Sequence, residues 1–301
     1  MQVGSQHGIG VAIFFFALIL ETMSLLISID QLAEEIADGR GETLIACFWD
    51  GREGRGKARF QSHHIPTSVY CDPAYALSGI PSSRLGRNPL PDPAQLSRWF
   101  KQWGLNAEQP IIVYDEGHGI YAARAWWILK WAGLENIRIL DGGQNAWDKS
   151  GRPLMGGPGN LPLSNNLRPN PGQLPVASIE EVKEFKGTLI DARGPHRFGG
   201  FREKLDLKAG HIPGAKNIST RDISHPDGRY LSVDGIREAF IKAGVDPETP
   251  GEDIIVYSGS GNHSAKLLAA MELIGITGAA HFVGGWSQWS ADPRNPVQAG
   301  V

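Results

Sequence analysis

The sequence predicts two α/β domains in tandem, each a mostly parallel sheet with helices on both faces. Three observations carry that expectation. The chain repeats itself: IIVYD at 111–115 recurs as IIVYS at 254–258, LDGGQNAW at 140–147 as FVGGWSQW at 282–289, and HIPTS at 64–68 as HIPGA at 211–215, in one order and at separations of 143, 142 and 147 residues. Strand-like and helix-like patterns alternate within each half, which implies parallel strands joined by crossover helices. Residues 151–175, GRPLMGGPGNLPLSNNLRPNPGQLP, are too rich in Gly, Pro and Asn to sustain a helix or a central strand and read as a linker. The chain therefore divides into an apolar extension at 1–22, a first domain at 23–150, the linker, and a second domain at 176–301.

Taken in order, MSLLISIDQLAEEI from Met23 reads as a short strand leading into an amphipathic helix. In the second half SIEEVKEF is helical by its Glu and Lys content, and TLID at 188–191 is a short apolar strand closing on a polar residue. SVDGIREAFIKAG has a Ser cap, apolar residues at helical spacing and a terminal Gly. DIIVY is a buried strand and HSAKLLAAMELIG a helix. Parallel sheets bind ligands beyond the carboxyl ends of their strands. That rule directs attention to the residues after IIVYS and after TLID.

With 41% apolar and 20% charged residues, 301 residues suffice for two separately cored globular domains. A net charge of -3 without a run of Lys or Arg excludes the electrostatic footprint of a nucleic-acid binder. Small molecules or proteins are the expected partners. Two cysteines, Cys47 and Cys71, make no disulfide framework, so a reducing compartment, the cytoplasm, is expected. Both lie among strand-like apolar neighbours, LIACFW and SVYCD, where a thiol is buried and inert. GIGVAIFFFALIL at 8–20 is the most apolar stretch. It falls short of the roughly 20 residues a spanning helix needs, and it has no basic flank or small-residue cleavage site. Residues 1–22 are expected to be an upstream extension from a mis-called start, with an uncleaved membrane or signal segment as the rival.

Ser258-Gly259-Ser260-Gly261-Asn262-His263 joins a buried strand to a helix. Its glycines allow amide N–H groups to converge, and the helix that follows adds the positive end of its dipole, so the loop makes an anion cradle. A cysteine at its head would be an activated thiolate. The plainer reading of the same residues is a tight turn.

Over residues 24–301 the chain resembles the two-domain rhodanese and 3-mercaptopyruvate sulfurtransferase family. The marks are LDGGQNAW, DARGPHRFGG at 191–200, AGHIPGAKN at 209–217, the VYSGSG loop and FVGGWSQW. The resemblance implies tandem rhodanese-like domains, a degenerate first domain, and a six-residue second-domain loop opened by a catalytic cysteine. Ser258 takes that cysteine's place. Gly259, Ser260 and Gly261 match the loop, whereas Asn262 and His263 depart from it. The family also places two basic side chains over the loop for the substrate's carboxylate or sulfonate: Arg197 matches the first, and Lys204 falls nearest the second. Lys204 offers a point charge in place of a guanidinium fork. Arg193, Asp191 and His211 read as structural partners. No metal and no cofactor are expected.

The reaction implied by the resemblance is thiolate attack on the sulfur of thiosulfate or 3-mercaptopyruvate, a persulfide, and transfer to cyanide or a thiol. A serine hydroxyl lacks the soft, easily ionised sulfur that this needs. The chain is therefore expected to be inactive as written. Serine-hydrolase and cysteine-loop phosphatase readings fail on spacing: G-x-S-x-G is absent at Ser258 and Ser260, and position 264 is Ser where an Arg would be required. In the first-domain loop Asp115 and Glu116 would repel an anion. Three readings stand: a sulfurtransferase by descent that has lost its nucleophile through engineering or variation, a natural pseudoenzyme that binds small anions or a partner, and an interaction protein. Expected partners are a small anionic sulfur donor and a thiol or cyanide acceptor, with no membrane, and a monomer is expected.

Overall fold

The computed structural model describes residues 24–162 and 166–300, so the apolar extension lies outside the described residues. The first half runs β1 (Leu26–Ile27), α1 (Ile29–Asp38), β2 (Thr43–Cys47), α2 (Arg55–Ser62), β3 (Val69–Cys71), α3 (Pro73–Ala76), α4 (Pro93–Trp103), β4 (Ile111–Tyr114), α5 (Ile120–Trp131), β5 (Ile137–Leu140) and α6 (Gly143–Lys149). The second runs α7 (Ile179–Glu184), β6 (Thr188–Asp191), α8 (Pro195–Phe198), β7 (Lys216–Asn217), α9 (Val233–Lys242), β8 (Ile254–Tyr257), α10 (Asn262–Leu273), β9 (Ala280–Phe282) and α11 (Gly285–Trp289).

Local chemistry sets the boundaries. Ser28 and Gln31 form a reciprocal capping box at the start of α1, and Ser178 and Glu181 form another at α7. Ser232 caps α9 by accepting from Gly235 N. Strands β4 and β8 are both IIVY and buried at all four positions, as strands covered on both faces should be. The sheets are parallel throughout, ordered β1-β5-β4-β2-β3 and β7-β6-β8-β9. Tyr257 at the end of β8 lies beside Asp191 at the end of β6. That register brings Ser258 next to the stretch after TLID.

The two sheets do not have wholly separate cores. Helices α5 and α10 are buried on nearly every side and pack against each other, and one hydrophobic cluster runs from Leu25 and Trp127 through Leu267 to Val283. The predicted linker runs along the first domain, tied by Asn160 N to Ser68 O (2.8 Å), Asn170 N to Ala132 O (2.8 Å) and Gln173 N to Trp131 O (3.1 Å). Cys47 and Cys71 are in register across β2 and β3 and fully buried, and burial pushes the Cys71 thiol far above its ordinary value. Among the described residues no helix is long and apolar enough to cross a membrane.

Candidate active site

Each domain has a strand-to-helix loop at the carboxyl end of its sheet, and the repeated motif fixes that loop in place. At the start of α11, Trp286 N donates to Ser258 O (2.7 Å) and Ser287 N to Gly259 O (3.0 Å). At α6 the equivalents are Gln144 N to Asp115 O (2.9 Å) and Asn145 N to Glu116 O (3.0 Å). The glycine pair of the motif is required by this contact: Gly285 has φ +54 and Gly143 φ +56, and a Cβ would stand 2.1 Å from Ser258 O and 2.4 Å from Asp115 O. The HIP motif is structural as well. His211 stacks on Phe198 with centroids 3.6 Å apart and its Nδ1 meets Phe198 O, Ile212 N donates to the Tyr257 hydroxyl, and His64, Phe60, Ile65 and Tyr114 repeat the arrangement.

The two loops hold different things. In the first domain the buried Asp115 carboxylate fills its own cradle, accepting from Gly117 N and Gly119 N (both 2.9 Å), Tyr121 N (3.0 Å) and Ala122 N (3.4 Å), with His118 Nδ1 at 3.0 Å. Burial alone would raise that carboxyl's pKa. The neighbouring His118 and the amides override burial and hold it well below the usual carboxylate range. Glu116 turns away to Arg59 (2.7 Å). Asp115 does not face an empty cradle and repel ligands from outside; it occupies the cradle, and so demonstrates that the loop geometry binds an anion.

In the second domain the head of the loop is a neutral hydroxyl. Ser258 is fully buried, accepts from Gly261 N (3.1 Å), and lies 3.1 Å from Ser264 Oγ, which in turn lies 2.7 Å from His281 Nε2. Burial and then the charge of Arg124 keep His281 neutral, with its pKa far below the ordinary value. Ser258 Oγ, Ser264 Oγ and His281 Nε2 thus form one buried hydrogen-bonded chain, with Gly261 N donating into its outer end. The amides of His263 and Ser264, in the first turn of α10, correspond to those of Tyr121 and Ala122 that hold Asp115, and helix geometry leaves them without intrahelical partners.

Cations surround this loop. A Cβ on Gly259 would lie 2.9 Å from Arg87 Nη2 and 3.3 Å from Arg197 Nη1, and one on Gly261 2.8 Å from Arg124 Nη1. Arg197 meets Glu203 (2.8 Å) and Asp206 (2.8 Å), while Arg193 is bound to both oxygens of Asp191 and to Gly210 O (2.6 Å). Lys204 is exposed, and the side chains nearest Gly259 are the two arginines. Asn262 and His263 are half-buried at the start of α10; burial, and after it the charges of Arg197, His118 and Lys266, push the His263 pKa down to about 4. Ser260 is gripped from the first domain by Asn88 Nδ2 (2.8 Å to Oγ).

Sequence reasoning missed Arg87, Arg124, Asp206 and His281. Arg87 and Arg124 belong to the other domain, and Arg87 sits in a loop with no periodicity to mark it. Arg124 was open to detection, because a lone Arg inside the apolar run IYAARAWWILKW needs a buried partner. Its Nη2 donates to Leu77 O and Asn88 O (both 3.1 Å), its Nε and Nη1 have no hydrogen-bond partner among the described residues, and burial lowers its pKa to about 9.

Known proteins bear on the same architecture. The family profile described as the rhodanese-like domain matches residues 28–150 and again 177–292. The chain is 35% identical over 281 residues to SseB of Mycobacterium tuberculosis, assigned to thiosulfate sulfurtransfer, covering 92% of this chain and 98% of that protein. It is 32% identical over 278 residues to the 3-mercaptopyruvate sulfurtransferase of Escherichia coli K12, covering 89% and 96%. The crystal structure of Escherichia coli SseA, described among the 3-mercaptopyruvate sulfotransferases, superposes with a TM-score of 0.76 at 30% identity, covering 88% of this chain and 99% of that one. Two profile matches, full-length relatives and a superposing structure agree with the paired sheets and paired loops, and the chain belongs to the rhodanese family, with two rhodanese-like domains whose close relatives are thiosulfate and 3-mercaptopyruvate sulfurtransferases.

Proposed function

We propose that the second-domain loop binds a small anionic sulfur compound of the thiosulfate or 3-mercaptopyruvate class and does not transfer its sulfur. The observation that carries this reading is Ser258 at the head of the cradle, its hydroxyl engaged by Gly261 N on one side and Ser264 on the other. Transfer by a thiolate forms an S–S bond to the donor sulfur, expels sulfite or pyruvate, and then passes the sulfane sulfur to cyanide or a thiol. A hydroxyl with an ordinary proton and a hydrogen-bonded chain behind it forms no persulfide. The two thiols of the chain do not substitute for it, since Cys47 and Cys71 are buried in the other domain. What Ser258 leaves intact is recognition: the first-turn amides of α10, and Arg197 and Arg87 beside Gly259. Lys204, exposed on the same stretch, is the weaker candidate for a second cation. The reading is that of a binding module on a sulfurtransferase scaffold, acting as a monomer in the reducing cytoplasm, to which its unpaired thiols are suited.

The test is a pair of assays, thiosulfate with cyanide and 3-mercaptopyruvate with a thiol, on the protein and on Ser258→Cys. The unaltered protein is expected at background, with Ser258→Cys higher by at least about a thousandfold. Equal activities would show that Ser258 does not stand at the reacting position.

A further inference from the structure

The arginines above the loop already hold an anion, and it is the protein's own. Arg87 and Arg197 approach Gly259 from opposite domains, and one carboxylate bridges them: Asp206 Oδ1 takes Arg87 Nη1, and Asp206 Oδ2 takes Arg197 Nη2 at 2.8 Å. The Asp206 side chain is 3% exposed although its neighbours Leu205 and Leu207 are largely in solvent. A carboxylate or sulfonate seated between two guanidinium forks would have this same geometry. We propose that Asp206 is a built-in competitor for the anion site, and that Arg87, supplied by the first domain, is the second anion contact of the ligand, reached only when Asp206 lets go. The proposal rests on the anion-site reading above and adds to it the residue that must leave before Arg87 is free to bind.

Charge balance supports it. Arg87, Arg193 and Arg197 form one network with Asp191, Glu203 and Asp206, three guanidiniums against three carboxylates, so the network offers no net attraction to an incoming anion. With Asp206 withdrawn, one positive charge is uncompensated beside the loop. Glu203 and Asp206 are not equivalent in this respect. Glu203 is built into its own turn, accepting from the amides of Lys204 (2.9 Å), Leu205 (2.8 Å) and Asp206 (3.1 Å), whereas the Asp206 carboxylate touches the two arginines alone among the described residues. The residues around it, 201–209, form no helix or strand, and Phe201, Leu205 and Leu207 are exposed, which is the profile of a segment that opens at low free energy. A cavity of about 270 Å³ lies against this point, lined by Arg87, Asp206, Leu205, Leu207 and Ser287 among others, large enough for a three-carbon anion to approach as the carboxylate swings out.

Calorimetric titration with thiosulfate and with 3-mercaptopyruvate decides the matter on four folded proteins: the unaltered chain, Asp206→Asn, Arg87→Gln, and both changes together. Removing the competitor is expected to tighten binding about tenfold or more, because apparent affinity is reduced by the fraction of molecules in the closed state. Arg87→Gln is expected to weaken binding about tenfold in the Asp206→Asn background, where it has no carboxylate left to serve. Unchanged or weaker binding in Asp206→Asn, or indifference to Arg87 in that background, overturns the proposal. If ligands bind the unaltered chain and ignore both residues, the anion-site reading survives and only this inference falls. If neither ligand binds the unaltered chain or Asp206→Asn, the anion-site reading itself falls. Should Asp206→Asn not fold, Asp206→Ser takes its place in both backgrounds, with tighter binding expected and unchanged or weaker binding counting against the proposal.

Discussion

Ser264 is the residue on which both of its neighbours depend, since it joins the Ser258 hydroxyl to an imidazole whose other nitrogen, His281 Nδ1, has no hydrogen-bond partner among the described residues. Ser264→Ala strands His281 with neither nitrogen bonded in a fully buried site, a loss of about 1 to 3 kcal/mol. Adding His281→Leu should recover part of that loss, because the imidazole is no longer stranded and only the Ser258 hydroxyl still lacks its Ser264 partner; the repeat places Ile139 at the corresponding strand position, so an apolar side chain suits it. Chemical denaturation of the two variants checks both statements, and a double variant less stable than the single would sink them. The same histidine predicts an acid limb. His281 and His263 have folded pKa values below the unfolded one of about 6.5, so the stability they contribute is complete above that pH. It declines as pH falls toward the folded values, near 4 for His263, at up to about 1.4 kcal/mol per pH unit for each group. His118 has the opposite sign, because Asp115 raises its pKa against the effect of burial: its contribution is present below about 6.5 and is lost as pH rises through the raised value. His281→Leu should therefore flatten the stability profile below about pH 6.5 and leave the neutral side unchanged.

At the scale of elements, what was legible followed from local chemistry. Each IIVY strand announced itself as four consecutive apolar β-formers, the helix from Val233 by its Ser232 cap, and the two loops by recurring at one offset. What was illegible joins elements far apart in the chain. Asn88 reaches Ser260, and Arg87 reaches Gly259 and Asp206, from a stretch whose sequence, SSRLGRNPLP, holds no periodic pattern; only packing of the domains brings it there. Lys204, which the family resemblance sets nearest the second basic position, lies exposed in a segment without regular structure, where position in the chain does not determine the direction of a side chain. Packing between domains also produces contacts that composition does not foretell. Gly228, at φ +91, meets the first-domain loop so closely that a Cβ would stand 1.8 Å from Gly117 O. Gly228→Ala is expected to cost about 3 kcal/mol, combining a positive φ with a backbone collision that no rotamer relieves, and Gly214→Ala, at φ +80 with open space around it, about 1. Melting temperatures that rank the two alike would mean that the domains part at no cost.

Across the whole molecule the two domains form a near-symmetric pair in which each supplies a cation to the other's loop. Arg124 on α5 stands behind Gly261, and Lys266, 142 residues later on α10, stands behind Gly119, where a Cβ would lie 3.3 Å from its Nζ. Lys266 also donates to His118 O (2.8 Å) and Gly228 O (3.0 Å), and burial lowers its pKa to about 8 despite Asp115 and Asp141. Each cradle thus has a buried cation of the other domain standing behind its glycine. What distinguishes them is the residue at the head: a carboxylate that fills the first, and in the second a neutral hydroxyl, with the nearest carboxylate, Asp206, supplied from outside the loop. One thiosulfate per unaltered chain is therefore expected. Asp115→Ser should empty the first cradle, freeing the amides of Gly117, Gly119, Tyr121 and Ala122, and should cost at least about 3 kcal/mol, since several charge-assisted hydrogen bonds disappear together. Because the Asp115 carboxyl is held below its ordinary value, its contribution is present above about pH 3.9 and is lost below it, so the variant should also lose the steepest part of acid unfolding. External anions should then replace what the carboxylate supplied. Thiosulfate or sulfate should raise the melting temperature of Asp115→Ser by more than that of the unaltered protein, and titration should count two sites. A variant that stays at one site, with no extra stabilisation by anions, would show that the first loop holds its carboxylate through its own sequence and not through a cradle common to both domains.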